Sequence, residues 1–113
     1  MSGLTTHVLD TANGAPAAGV AVRLLRDGSV LGRATTDADG RCDSPLLGAD
    51  ALKTGAYRLE FDVGAYYRRL GLSLPDPAFL ETVALEFSVA DASAHYHVPL
   101  LVSPFAYSTY RGS

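Results

Sequence analysis

Strict alternation between apolar and charged residues is the feature that most restricts the fold of this chain. From Tyr57 to Val63 every odd position is apolar and every even position is charged. Because successive side chains of a strand point to opposite faces, this pattern predicts a strand with one buried face. Alternation recurs over Val83–Val89 and, in a shorter form, over Val20–Leu24. The chain is therefore predicted to contain at least three half-buried strands.

Turn signals separate the predicted strands at short intervals. Asn13-Gly14, Asp27-Gly28 and Asp39-Gly40 supply the positive φ angles that tight turns need. Weaker strand patterns cover Leu4–Leu9, Ser29–Thr36, His95–Ser103 and Ala106–Arg111, with a further short segment near Asp43–Leu47. Only Gly64–Leu70 is predicted to be helical. Seven or eight short strands joined by such turns indicate an antiparallel β-sandwich or barrel.

With 113 residues the chain has the length of one domain, predicted to cover residues 1–113. Hydrophobic residues make up 48% of it, charged residues 19%, and the mean hydropathy is +0.13. A small domain has much surface and little interior. This composition therefore indicates either apolar surface that faces a partner subunit or a well-filled sandwich core, and it favours neither over the other.

The charge pattern argues against a nucleic-acid partner. The formal net charge is −3, Lys53 is the only lysine, and no basic run is longer than Arg68-Arg69. No apolar run approaches the length of a membrane span, so no membrane partner is expected, and Met1–Thr6 lacks the features of a signal peptide. Cys42 is the only cysteine, so no disulfide can form within the chain. We therefore expect a cytoplasmic protein.

Three histidines are candidates for acid–base chemistry. His95 and His97 share one face of a predicted strand, and His7 lies on the first strand. They could be unrelated surface or hydrogen-bonded residues. They could also bind a metal, since His-x-His on a strand is a known ligand spacing. No Asp or Glu close in sequence completes such a site, and Cys42 is an ambiguous third ligand, so no metal is expected.

The segment Asp37–Arg41 is predicted to form a hairpin turn that presents Arg41. When the pattern of a calcium-binding loop is aligned on Asp39-Gly40, Thr35 falls at its first position and Leu46 at the position of its closing acidic residue. A calcium site is therefore excluded. A guanidinium held by a turn can bind a planar, carbonyl-rich ligand at two points, although a solvated arginine is commoner. The chain has no Gly-x-Ser-x-Gly motif and no glycine-rich phosphate loop. Histidine acid–base chemistry remains, with arginine and tyrosine as binding groups.

Four motifs occur in order along the chain. They are Leu4–Asp10, Asp39-Gly40-Arg41, His95–Pro104 and the terminal Tyr110-Arg111-Gly112-Ser113. Together they resemble the transthyretin-related 5-hydroxyisourate hydrolases over essentially the whole chain. The terminal tetrapeptide is the most specific motif, because the hormone-carrying transthyretins lack it. The resemblance implies an all-β sandwich of two four-stranded antiparallel sheets with one short helix, and a homotetramer with active sites where two dimers meet.

The resemblance also implies a reaction and a set of site residues. The reaction is hydrolysis of 5-hydroxyisourate to 2-oxo-4-hydroxy-4-carboxy-5-ureidoimidazoline in urate breakdown, without a cofactor. By motif position the catalytic residues would be His7, Arg41, His97 and Ser113, and the substrate-binding residues would be His7, Arg41, Tyr110 and Arg111. His97 or His7, as a pair, would deprotonate or orient water, and Arg41 would stabilise the developing oxyanion. Tyr110, the Ser113 hydroxyl and the terminal carboxylate would hold the substrate and the histidines in place.

Two other functions compete with hydrolysis. A carrier would bind small aromatic ligands in a channel between subunits, but it needs neither the terminal tetrapeptide nor a base beside Arg41. A structural sandwich without a site would leave His7, Arg41 and His97 far apart in space.

Overall fold

The structure, a computed structural model, describes residues 3–112, and its regular elements are mostly short strands. Within this range the strands are β1 (Gly3–Thr5), β2 (Val8–Asp10), β3 (Ala15–Pro16), β4 (Ala21–Arg26), β5 (Ser29–Thr35), β6 (Leu47–Gly48), β7 (Gly55–Asp62), β8 (Thr82–Val89), β9 (His95–His97), β10 (Leu100–Val102) and β11 (Tyr107–Thr109). One helix, α1 (Val63–Arg69), lies between β7 and β8. The predicted all-β class with one short helix is confirmed.

The three alternating segments form neighbouring strands of one antiparallel sheet, whose order is β5-β4-β7-β8. Tyr57, Leu59 and Phe61 of β7 are buried, whereas Arg58 between them is exposed. Leu85 of β8 lies directly opposite Leu59 and is also buried. The prediction of half-buried strands in these segments is therefore confirmed, because the same alternation that marks each strand also determines which face it buries.

The remaining strands correct the prediction of two four-stranded antiparallel sheets. They form a three-stranded sheet, β6-β1-β9, and a four-stranded sheet, β11-β10-β2-β3, so residues 3–112 contain three sheets. Two pairings are parallel, β1 with β9 and β2 with β10. Alternation predicts which residues form a strand, but it does not predict which distant strand lies beside it. The parallel pairing of the two ends of the chain was therefore not predicted.

The two smaller sheets are separated by a break in pairing at His7 and Pro99. This break divides each of the predicted strands Leu4–Leu9 and His95–Ser103 into two shorter strands. Backbone hydrogen bonds flank it on both sides. The amide of Val98 donates to the carbonyl oxygen of Thr5, and the amide of Leu100 donates to that of His7, at 2.9 Å each.

Other boundaries differ from the prediction by a few residues. The helix covers Val63–Arg69 rather than Gly64–Leu70. Of the weak segment Asp43–Leu47, only Leu47 belongs to a strand, and the short β3 was not predicted. The turn at Asp27-Gly28 is confirmed, since the two residues have φ angles of 52° and 79° and join β4 to β5.

The buried hydrophobic side chains form a cluster that draws on all three sheets. Leu4, Leu59 and Leu100, one from each sheet, are all 0% exposed. Burial of such side chains is the main favourable term in the folding of a domain this size. No helix within residues 3–112 has the length and apolar character that crossing a membrane requires.

Candidate active site

The break between β1 and β2 brings three of the predicted site residues to one surface. His7 occupies the break and forms an antiparallel bridge with Arg41, which follows the Asp39-Gly40 turn. His97 ends β9, and Thr5 is its neighbour across the parallel pair. Arg41 and His7 lie close enough to His97 for their charges to affect its pKa. The structural sandwich without a site, which requires these residues to be far apart, is therefore not supported.

Backbone contacts hold the turn that presents Arg41. The amide of Asp37 donates to the carbonyl oxygen of Arg41 at 2.7 Å, and the Asp37 carboxylate accepts hydrogen bonds from the amides of Asp39 and Arg41. Gly40 has a φ of 75°, and a Cβ at this position would collide with the carbonyl oxygen of Val8. Only glycine fits this position. The turn therefore has a well-defined backbone, and the exposed side chain of Arg41 extends from it.

The ring of His7 is oriented by the same turn. Its Nε2 lies 2.8 Å from the carbonyl oxygen of Asp39. A carbonyl oxygen can only accept a hydrogen bond, so Nε2 carries the proton. In the neutral ring the bare nitrogen is therefore Nδ1, which is the atom of His7 that can act as a base.

His97 is held in its neutral form. Burial lowers the pKa of His97 first, and the charges of Arg41, His7 and His95 lower it further. Its Nδ1 lies 2.8 Å from the Thr5 hydroxyl oxygen. An imidazole that is neutral near pH 7 can exchange a proton with water or substrate, which a permanently charged ring cannot do as a base.

His95 lies beside His97, although the sequence motifs did not mark it as a site residue. The two rings are nearly parallel, with centroids 6.5 Å apart and an interplanar angle of 9°. The Nε2 atom of His95 lies 3.3 Å from the Thr5 hydroxyl oxygen. Its Nδ1 is buried and meets no hydrogen-bond partner among the described residues. The His-x-His spacing already placed both rings on one strand face, but the role of Thr5 between them left no signal in the sequence.

The C-terminal segment contacts His97 through its glycine. The Gly112 amide donates to the carbonyl oxygen of His97 at 2.8 Å, and a Cβ on Gly112 would lie 2.6 Å from Cδ2 of that ring. The guanidinium of Arg111 lies 4.1 Å above the Tyr96 ring and donates to the carbonyl oxygen of His95. Glycine therefore permits the close approach of the tail to the histidine.

The other predicted tail residues occupy different positions. Tyr110 and Arg111 line a cavity of about 170 Å³ together with Phe87, Tyr96 and Val98. Tyr96 points to the opposite face of β9 from the two histidines. Contact of Tyr110 and Arg111 with the substrate therefore stays a prediction. Ser113 lies outside the described residues.

Metal binding has no support in the described part of the chain. Residues 3–112 contain no group of three or more histidine, cysteine, aspartate or glutamate side chains that could hold a metal ion. Burial and the charges of Asp37 and Asp43 raise the pKa of the Cys42 thiol, which makes it a poor ligand and a poor nucleophile at neutral pH. The chemistry available at this surface is that of imidazole and guanidinium groups.

Comparison with known proteins gives full-length matches. A sequence profile described as the HIUase/Transthyretin family matches residues 4–112. A protein of Ralstonia nicotianae named 5-hydroxyisourate hydrolase is 58% identical, over 100% of both chains. A solved structure of Klebsiella pneumoniae 5-hydroxyisourate hydrolase has 37% identity and a TM-score of 0.84, again over 100% of both chains.

A second solved structure is similar over only part of its own length. A crystal structure of (S)-allantoin synthase is 39% identical and has a TM-score of 0.92. The match covers 99% of this chain and 44% of that one, so the present chain spans less than half of that protein.

Proposed function

Because this chain belongs to the HIUase/transthyretin family, we propose that it hydrolyses 5-hydroxyisourate at the surface formed by His7, Arg41 and His97. The observation that carries the proposal is the conjunction of two imidazoles and one guanidinium around the β1–β2 break. The enzyme is a hydrolase of a cyclic amide, and its product is 2-oxo-4-hydroxy-4-carboxy-5-ureidoimidazoline.

The reaction needs a base for water and a donor for the ring nitrogen. The water oxygen bonds to the ring carbonyl carbon while one imidazole takes a proton from it. The tetrahedral intermediate then breaks its C–N bond, and the imidazolium returns the proton to the departing nitrogen. Both histidines end neutral, and the net change is the addition of one water. The lowered pKa of His97 keeps its ring neutral at the start of this cycle.

Arg41 supplies the charge that the transition state requires. The carbonyl oxygen becomes an oxyanion as water adds, and a guanidinium held by a rigid turn stabilises it without reorganising. The planar fork of five N–H donors also matches two adjacent carbonyl oxygens of an oxidised purine. The β-bridge holds the backbones of His7 and Arg41 side by side. The guanidinium and the imidazole can therefore act on the same bond.

The C-terminal segment completes the proposal. Tyr110 and Arg111 are assigned to substrate binding, and Ser113, with its hydroxyl and terminal carboxylate, to the orientation of substrate and histidines. Support comes from the Gly112 contact, which places this segment directly against the His97 ring. A short tail anchored beside a catalytic histidine can position a ligand there.

Assembly into a homotetramer, a dimer of dimers with its sites where the dimers meet, is the form that we propose for the active enzyme. β8 and β11 are outer strands of their sheets, and every residue of β11 is exposed. Phe79 and Phe105 form an exposed pair with ring centroids 6.0 Å apart. Outer strands and exposed aromatic side chains are features that subunit contacts cover. We place the enzyme in the cytoplasm, since its lone Cys42 fits a reducing compartment.

A coupled ultraviolet assay tests this function. Urate oxidase generates 5-hydroxyisourate in situ, and its loss is followed with and without the protein. We expect loss far above the spontaneous rate, a decrease in kcat of roughly 10²–10⁴-fold for His97→Ala, and a large decrease on deletion of residues 110–113. Lys53→Ala, on an exposed loop, is the control and should retain full activity.

Two outcomes would contradict the proposal. If a well-folded tetramer gives no acceleration, the carrier of small aromatic ligands becomes the better function, and ligand binding is measured next. If His97→Ala retains a normal kcat, His97 has no part in the mechanism.

A further inference from the structure

Thr5 lies between two imidazole rings, and its hydroxyl group is the only link between them that the structure describes. Its oxygen is 2.8 Å from Nδ1 of His97 and 3.3 Å from Nε2 of His95. The position follows from the parallel pairing of β1 with β9, in which Thr5 is the register partner of His97. A hydroxyl can donate one hydrogen bond and accept two, so the protons on the three groups are coupled.

The buried nitrogen of His95 limits how those protons can be arranged. Nδ1 of His95 is buried and meets no partner among residues 3–112. Buried N–H groups without an acceptor are rare in proteins, because they lose their hydrogen bond to water and gain nothing. A protonated Nδ1 is therefore disfavoured, in the imidazolium as well as in the Nδ1–H tautomer. Neutral His95 with its proton on Nε2 is the form that fits.

One arrangement then satisfies every group at Thr5. His95 Nε2–H donates to the Thr5 oxygen, and the Thr5 hydroxyl donates to Nδ1 of His97. The arrangement in which both rings donate to Thr5 leaves the hydroxyl proton without an acceptor among the described residues. Because Nδ1 of His97 accepts, the proton of neutral His97 is on Nε2, the nitrogen that Thr5 does not contact.

We propose that Thr5 and His95 form a positioning pair that sets the tautomer of His97, so that His97 presents Nε2–H as a hydrogen-bond donor and His7 presents its bare Nδ1 as the base. His7 has the opposite orientation because its Nε2 donates to the carbonyl oxygen of Asp39. This division of roles rests on the proposed function. The tautomer of His97 does not, and it can be measured without substrate.

The test is nitrogen NMR of protein labelled with ¹⁵N-histidine, at a pH where all three rings are neutral. The expected signals of His97 are a protonated Nε2 and an unprotonated Nδ1, and His95 should show the same tautomer. A protonated Nδ1 on His97 would overturn the proposal, whether or not the protein is active. This measurement needs no variant and is therefore independent of any effect of substitution on folding.

Variants then connect the tautomer to catalysis. Thr5→Val keeps the side-chain shape but removes the hydroxyl, so His97 should become a mixture of tautomers and kcat should decrease by about 5–10-fold with little change in KM. Thr5→Ser should restore both the tautomer and kcat. Thr54→Val, which removes an exposed hydroxyl elsewhere, should change neither.

His95→Phe tests the second member of the pair. This substitution removes the group that donates to Thr5 but leaves the hydrogen bond between Thr5 and His97 in place. The His97 signals should therefore shift toward a mixture of tautomers, as in Thr5→Val. Unchanged His97 signals in His95→Phe would show that His95 does not act through Thr5. An unchanged kcat in a folded Thr5→Val protein would show that the tautomer has no influence on the reaction.

Discussion

At the level of single residues, the neighbours of His97 determine its charge. Burial and the nearby positive groups lower its pKa below the usual value of 6.5. Because the unfolded chain binds a proton at higher pH than the folded chain, this residue makes the folded state more stable as pH rises between the two pKa values. The site therefore disfavours imidazolium, which is the form that cannot act as a base.

Substitution of Arg41 tests this electrostatic coupling. Arg41→Ala removes a positive charge beside His97, so the pKa of His97 should increase, and kcat should decrease by about 10²-fold with loss of the oxyanion partner. Arg33→Ala, which removes an exposed arginine from β5, is the matched control. NMR titration of the histidines and the coupled assay measure the two effects. An unchanged His97 pKa in Arg41→Ala would contradict the proposed proximity of these charges.

The buried carboxylate of Asp10 has a structural role away from the candidate site. The residue is 1% exposed, and its carboxylate accepts hydrogen bonds from the hydroxyls of Tyr66 and Tyr67 and from the side chain of Asn13. Burial raises the pKa of Asp10, but the hydrogen bonds from Tyr67, Asn13 and Tyr66 together outweigh it, and the pKa is lowered. Burial, together with proximity to the carboxylate, raises the pKa of Tyr66 to about 12.

Asp10→Asn should therefore destabilise the fold. The amide has one acceptor oxygen and places donors against hydroxyls that already donate, so we expect a loss of about 3 kcal/mol in the free energy of unfolding. Asp50→Asn, at an exposed loop position, should have almost no effect. In the unaltered protein, the contribution of Asp10 is present above the unfolded pKa of about 3.9 and is lost as pH falls through the lower folded pKa. Urea unfolding of the unaltered protein and of both variants at several pH values measures these differences in the free energy of unfolding.

At the level of elements, a tight turn and a strand break form the site together. The Asp39-Gly40 turn lies against β2, where the amide of Val8 donates to the carbonyl oxygen of Gly40 at 2.8 Å. This contact flanks the antiparallel bridge between His7 and Arg41. A small irregularity in two strands therefore determines where the imidazole and the guanidinium meet.

A pair of glycine substitutions separates the packing of this turn from its backbone conformation. Gly40 and Gly28 both have positive φ, at 75° and 79°, but only at Gly40 would a Cβ meet other atoms. Gly28→Ala should cost about 1–2 kcal/mol from the left-handed conformation alone. Gly40→Ala should cost more than this and should also lower kcat, because relief of the clash with Val8 moves Arg41. Equal losses of stability and unchanged kcat would show that the turn has no part in catalysis.

At the level of the whole molecule, side chains of the candidate site and several aromatic side chains are exposed. Arg41 and Tyr110 are exposed, and so is the Phe79–Phe105 pair. A second copy of the chain placed over such surface excludes water from the reacting groups and strengthens their electrostatic interactions. Activity that depends on assembly is the consequence that we expect.

Dilution provides the test of assembly. Specific activity should fall as the tetramer dissociates, and addition of excess His97→Ala protein should restore it by reforming mixed tetramers around the active chains. Mass photometry at the assay concentrations gives the oligomeric state alongside the rate. Full activity in a sample that contains only monomers would contradict the proposed tetrameric site.

Local patterns in the sequence are sufficient to predict the strands of the antiparallel sheet, their buried faces and the main turns. Alternation and turn dipeptides act through residues close to one another in the chain, so they need no knowledge of distant contacts. The motifs also identify His7, Arg41 and His97, through a family resemblance. These three residues are recognisable because each lies in a short motif with a fixed place along the chain.

The parallel pairing of the chain ends, the division into three sheets and the position of Thr5 between His95 and His97 arise only in the folded chain. These features depend on contacts between residues about ninety positions apart, as in the separation of 92 between Thr5 and His97. No local pattern encodes such a contact, because pairing partners are selected by burial of the whole core. The sequence identifies the residues proposed for the site, but the proposed arrangement of protons on Thr5, His95 and His97 rests on contacts that only the folded chain provides.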